Sequence, residues 1–107
     1  YLAPYNNFAN RIGTLRFVED IPMNSGAPSY SVVKNIEDNL EQFKSLPVMI
    51  AWGAKDFVFN DHFLKRWQGI FPDAEVHRIQ DAGHYVVEDA HERIIPWMQE
   101  FFQKNPL

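Results

Sequence analysis

Five apolar residues in succession, Val48, Met49, Ile50, Ala51 and Trp52, constrain this chain more than any other feature. Pro47 opens the run and Gly53 closes it. A strand with one face in water alternates apolar with polar residues, and this run does not. A short, continuously apolar strand is what a parallel sheet covered by helices on both faces requires. The run therefore points to an α/β architecture.

The neighbouring patterns agree with it. Phe8, Ile12 and Leu15 recur at helical spacing within residues 1–22, which predicts a short helix. Asn24, Ser25, Gly26 and Pro28 signal a loop. Val33, Ile36, Leu40 and Phe43 fall on one face and predict an amphipathic helix over residues 30–44. After the apolar strand, residues 53–60 read as a turn. Phe63, Leu64, Trp67 and Ile70 then give a second helix, capped by Asn60 or Asp61 and ended by Phe71-Pro72-Asp73. Residues 75–79 read as another strand and 80–84 as a loop. Ile94, Ile95, Met98, Phe101 and Phe102 mark a closing helix, with a kink or late start expected at Pro96.

The order is helix-strand-helix-strand-helix, which implies a right-handed crossover between parallel strands. Two parallel strands alone leave bare edges and too little surface to cover aromatic-rich helices. The sequence thus reads as part of a larger sheet. The first residue is Tyr1 rather than Met, which fits a piece of a longer protein.

Composition excludes several function classes. The 107 residues amount to one domain at most, and 46% apolar with 22% charged residues is ordinary for a soluble globular protein. Net charge is -4 and the basic residues are scattered, so a nucleic-acid surface is not expected. The apolar run is too short to span a bilayer, and the first residues do not resemble a secretory signal. No membrane association and a cytoplasmic setting are expected. With no cysteine, disulfides, thiolate metal sites and a cysteine nucleophile are ruled out.

Two motifs carry chemistry. Trp52-Gly53-Ala54-Lys55-Asp56 follows the first strand, and functional groups collect at the carboxyl ends of strands in open α/β sheets. Taken alone, Asp56 reads at least as readily as a turn or capping residue. Asp81-Ala82-Gly83-His84-Tyr85 follows the second strand. His84 can move protons near neutral pH, and Gly83 is expected to let the backbone turn tightly beneath it. Alone, His84 reads equally as a partly buried ring satisfied by a carbonyl. Together the motifs say more. A right-handed crossover would set the two strand ends side by side, where the carboxylate of Asp56 can accept the Nδ1 proton of His84. Strand-loop-Asp followed by strand-Gly-His is the order in which α/β-hydrolases present acid and base after an upstream nucleophile.

Pro-Val-Met-Ile-Ala-Trp-Gly-Ala-Lys-Asp-Phe-Val-Phe at 47–59 and Asp-Ala-Gly-His-Tyr-Val-Val-Glu-Asp at 81–89 resemble the last two strand ends of the haloalkane dehalogenase-like branch of the α/β-hydrolases. Tyr-Leu-Ala-Pro-Tyr at 1–5, Arg11 and Phe-Val-Glu-Asp-Ile-Pro at 17–22 resemble the end of that branch's helical cap. Within the branch the likeness is greatest to the β-lactone decarboxylases of olefin biosynthesis. The resemblance implies a C-terminal fragment of an α/β-hydrolase fold, with residues 1–22 ending the cap and residues 23–107 belonging to the core. It implies Asp56 as triad acid and His84 as catalytic histidine. The nucleophile is expected upstream, since neither Gly-x-Ser-x-Gly nor Gly-x-Asp-x-Gly occurs here, and Ser25, Ser29, Ser31 and Ser45 lie on no strand-to-helix turn.

The remaining features weigh less. Phe57, Val58, Phe59 and Tyr85 flank the pair and read evenly as pocket lining or core. Trp52, Trp67 and Trp97 read as packing residues rather than halide-binding indoles, and Glu88 and Asp89 as acids that begin the last helix. His62, His77 and His91 have no metal-ligand spacing, and none of the routes that the resemblance implies requires a metal or cofactor. The expected partners are a small hydrophobic substrate and either the remainder of the parent hydrolase or a second copy. The expected activity is dehalogenase-like hydrolysis. β-Lactone decarboxylation, serine esterase or lipase action and a non-catalytic interaction fragment are the alternatives, and the chain alone is expected to be inactive.

Overall fold

The structure, a computed structural model, describes residues 2–106. The chain divides into two compact units, Tyr1–Leu40 and Glu41–Leu107.

In the first unit a single 3-10 turn, Ala3–Tyr5, precedes helix α1 (Phe8–Glu19). Asn7 starts α1 in an extended conformation (φ −143°, ψ 171°), and its side-chain oxygen accepts from the Asn10 N–H at 2.9 Å. That bond satisfies one of the four donors that a helix start leaves free. Helix α2 (Tyr30–Asp38) is shorter than the apolar spacing predicts. At Asn39 the backbone N–H bonds to Ile36 O (3.1 Å) and the side-chain amide donates to Asn35 O (2.8 Å). These bonds take up the last carbonyls of α2, and Leu40–Phe43 follows as a tighter 3-10 turn. Leu40 and Phe43 therefore do not continue α2.

The second unit is the α/β part. Strand β1 (Met49–Gly53) leads through helix α3 (Asp61–Ile70) to strand β2 (Glu75–Ile79), and helix α4 (Val86–Lys104) closes it. The strands pair in parallel, with Met49 opposite Glu75 and Gly53 opposite Ile79. Asn60 caps α3, its side chain accepting from His62 N at 2.9 Å. Asp61, in the first turn, receives both arms of the Arg78 guanidinium at 2.9 Å each, which ties the start of α3 to β2.

Helix α4 begins well ahead of Ile94, and its break is at Ala90 (φ −143°, ψ 22°), not at Pro96. Pro96 is exposed, and so is Glu92, whose carbonyl loses the bond that a residue at 96 would make; water can serve it instead. Ala90 is buried in the core, together with Ile79, Ala82 and Ile94, and Ala51, Val86 and Trp97 pack against that cluster. Ala82, two residues before His84, has no exposed surface at all. The loop that carries the histidine is thus seated directly on the core. Large apolar side chains stay exposed in both units, among them Leu2, Phe8 and Phe17 in the first and Leu46, Phe57 and Phe102 in the second. Among the described residues no helix is long and apolar enough to cross a membrane.

Candidate active site

The parallel ladder does not stop where the strands end. Ala54 N donates to Ile79 O and Lys55 N to Ala82 O, each at 2.9 Å, so the two loops leave the sheet sewn together. Gly53 is the residue that lets them approach. A Cβ on Gly53 would lie 2.2 Å from Gly83 O, 2.8 Å from Ala82 O and 2.9 Å from Gly83 C, all of them backbone atoms. The tight turn expected at Gly83 does not call on a glycine. Among the described residues no glycine has a positive φ, and a Cβ on Gly83 would meet its nearest neighbour, Asp89 Oδ2, at an ordinary 3.5 Å. Nothing in the strand pattern of residues 48–52 signalled the steric demand on Gly53, because it arises from a loop thirty residues further on.

Beyond that crossing the chain turns through Asp56, whose own N–H bonds to Gly53 O at 3.2 Å. Its carboxylate does two things at once. Oδ1 accepts from Val58 N at 2.8 Å and from Phe59 N at 2.9 Å, as a turn residue does. Both oxygens also lie 3.1 Å from Nδ1 of His84. The Asp56 side chain is 9% exposed and that of His84 33%. An ionised carboxylate only accepts, so in the neutral ring the proton sits on Nδ1 and the lone pair on Nε2.

Burial is the largest single influence on the Asp56 carboxyl and pushes its pKa up. The bonds from Phe59 N–H, His84 and Val58 N–H together outweigh it and hold the group below the ordinary carboxylate value. A carboxyl that ionises more readily folded than unfolded adds stability above its unfolded pKa, and that stability is lost as pH falls through the folded value. Asp56→Asn should therefore flatten part of the acid limb of a stability-against-pH curve followed by circular dichroism. An unchanged acid limb would mean that these bonds do not form.

The flanking side chains gather around the imidazole. The rings of Phe57, Phe59 and Tyr85 have centroids 6.2, 5.6 and 5.5 Å from that of His84. Val58 turns its N–H to Asp56 and leaves its side chain partly exposed, and Phe57 and Tyr85 are largely exposed as well. None of the four belongs to the buried core. The tryptophans pack elsewhere: Trp67 stacks on Phe71, and Trp97 stacks on His77 at 4.1 Å with planes 6° apart. The Nε1 of Trp52 is buried without a hydrogen-bond partner among the described residues. His77 also meets Glu75 Oε1 at 2.7 Å, and His91 Nδ1 lies 3.3 Å from Glu88 O. Among the described residues no group of three or more His, Asp or Glu side chains is placed to hold a metal ion. One contact escaped the sequence reading: Gly83 N donates to Asp89 Oδ2 at 2.7 Å. As an acid near a helix start, Asp89 gave no signal of it.

Comparison with known proteins extends this geometry. Over 105 residues, 98% of this chain and 33% of the relative, the sequence is 46% identical to the cis-3-alkyl-4-alkyloxetan-2-one decarboxylase of Shewanella oneidensis. Over 107 residues, 100% of this chain and 36% of the relative, it is 42% identical to the protein of the same name from Xanthomonas campestris pv. campestris. The chain spans about a third of the length of these curated relatives. The sequence profile of the α/β hydrolase fold matches residues 2–91, most of the chain, and the parallel β1–α3–β2 crossover is in keeping with it. The chain belongs to the α/β hydrolase fold family.

Proposed function

We propose that this chain supplies the acid, Asp56, and the base, His84, of a nucleophile–histidine–acid triad in a longer enzyme acting on a small hydrophobic β-lactone. The observation that carries the reading is the contact of His84 Nδ1 with both carboxylate oxygens at 3.1 Å. Held this way, the ring offers Nε2 to a proton, and Asp56 stabilises the imidazolium that results. The rings of Phe57, Phe59 and Tyr85, with Val58 beside them, give the apolar surroundings that an alkyl-substituted substrate needs. Residues 1–22 end a helical cap, and the exposed apolar side chains are covered by the rest of the protein. The enzyme works in the cytoplasm, and the dyad itself asks for no cofactor.

The names of the two relatives favour a cis-3,4-dialkyl oxetan-2-one as substrate. Its ring opens with loss of carbon dioxide and leaves an alkene, so no oxidant, reductant or water is consumed. In a dehalogenase-like or esterase route the same dyad would instead activate water against an enzyme ester. The longer protein, given a dialkyl β-lactone, a haloalkane and an activated ester in parallel, should release alkene and carbon dioxide from the lactone at the highest kcat/KM. Halide or acid release as the dominant activity would replace the lactone reading with a hydrolytic one.

A further inference from the structure

We infer that Asp89 is a positioning residue for His84, its carboxylate gripping the backbone directly before it; this rests on the catalytic reading of His84 given above. The Asp89 carboxylate accepts from the N–H of Gly83, the residue before His84, at 2.7 Å. The Asp89 N–H donates to the carbonyl of Tyr85 at 3.0 Å, the first bond of the α4 ladder, which any residue except proline at 89 would make. A bond from a backbone N–H to an ionised carboxylate is among the stronger hydrogen bonds available to a loop.

The path of α4 fits this role. The helix makes one turn from Val86 and leaves helical geometry at Ala90, directly after Asp89. At the end of that turn the Asp89 side chain is directed back at Gly83, while Ala90 fills the core beside Ala82. Arg93 adds a second tie from the same helix, its guanidinium bonding Asp81 at 2.8 Å. On the opposite side Lys55 N holds Ala82 O at 2.9 Å. Residues 81–85 are therefore clamped between the loop of Asp56 and the start of α4. Asp56 orients the ring and Asp89 fixes the backbone from which the ring projects.

The rival account makes Asp89 an ordinary acid at a helix start, acting on stability alone. The two separate in the longer enzyme, assayed on whichever substrate it turns over, with Asp89→Ala, Asp89→Asn and Asp89→Ser, each alone and on a His84→Ala background. A misplaced reacting group costs up to about 10²-fold in rate. Asp89→Ala should thus lower kcat by about 10²-fold with KM within about twofold. Asp89→Asn, which keeps an acceptor oxygen, should recover most of the rate. Asp89→Ser still suits a helix start but falls short of Gly83, so it should behave like Ala even if Asp89→Ala fails to fold. On the His84→Ala background none of these changes should cost anything further, because the group they position is gone. A kcat left unchanged by Asp89→Ser, or losses that add to that of His84→Ala, would overturn the positioning role and leave the dyad standing. A fully active His84→Ala enzyme would overturn both.

Discussion

Asp56→Asn in the longer enzyme is expected to lower kcat by about 10²–10⁴-fold, the range spanned by general acid–base catalysis and by tautomer loss in a triad. The reason lies in where the two backbone donors point. Val58 N and Phe59 N both address Oδ1, so the amide oxygen of an asparagine must take that place. Its NH2 is then left facing His84 Nδ1, a donor where a carboxylate oxygen accepted. The imidazole answers by moving its proton to Nε2, and the atom that should receive a proton becomes the one that carries it. Shape and volume hardly change, so the folded population at neutral pH should stay high while turnover collapses. His84→Ala should fall at least as far, and the double variant no further than His84→Ala alone, since the two residues act as one unit. Steady-state kinetics of the three variants checks this. An Asp56→Asn enzyme with wild-type kcat would remove Asp56 from the mechanism.

Gly53→Ala is expected to destabilise the chain by about 3–5 kcal/mol, at or above the upper end of what overpacking a core costs. The added carbon would be aimed at the carbonyls of Gly83 and Ala82, which are backbone and have no rotamer to change. Relief requires the two loops to separate, which strains the bonds from Ala54 N and Lys55 N and pulls His84 away from Asp56. Gly83→Ala is the informative control, because its new carbon would meet only ordinary contacts and should cost about 1 kcal/mol at most. Urea unfolding of both variants, with turnover of the longer enzyme alongside, reads the difference. Equal stabilities for the two would show that the crossing loops have room to part.

Much of the architecture was legible from residue order because it rests on local patterns. The strand at residues 75–79 and the cap at Asn60 stand where β-forming residues and a polar residue before a helical pattern put them. β1 runs one residue further than the apolar run, into Gly53. What escaped depends on partners distant in sequence. The end of α2 is decided by Asn39 turning back on Asn35, which the apolar spacing through Leu40 and Phe43 conceals. The break in α4 falls at Ala90, a core residue beside Ile79 and Ala82, and not at Pro96. In the site, the 28-residue spacing of Asp56 and His84 was readable from topology, and the structure places their side chains in contact. The demand on Gly53 and the grip of Asp89 were not, since each is set by a backbone atom of the facing loop.

Asp56 and His84 sit at the two ends of a single crossover, and the residues that bring them into contact lie in β1, α3, β2, their loops and the start of α4. In the proposed triad, proton handling is thereby encoded in one unbroken stretch of gene, apart from whatever encodes the attacking atom. A lineage can exchange its nucleophile, and with it the kind of bond it breaks, while inheriting this stretch intact. Drift in the attacking residue and drift in the proton relay are then separate events, each tolerable while the other holds still.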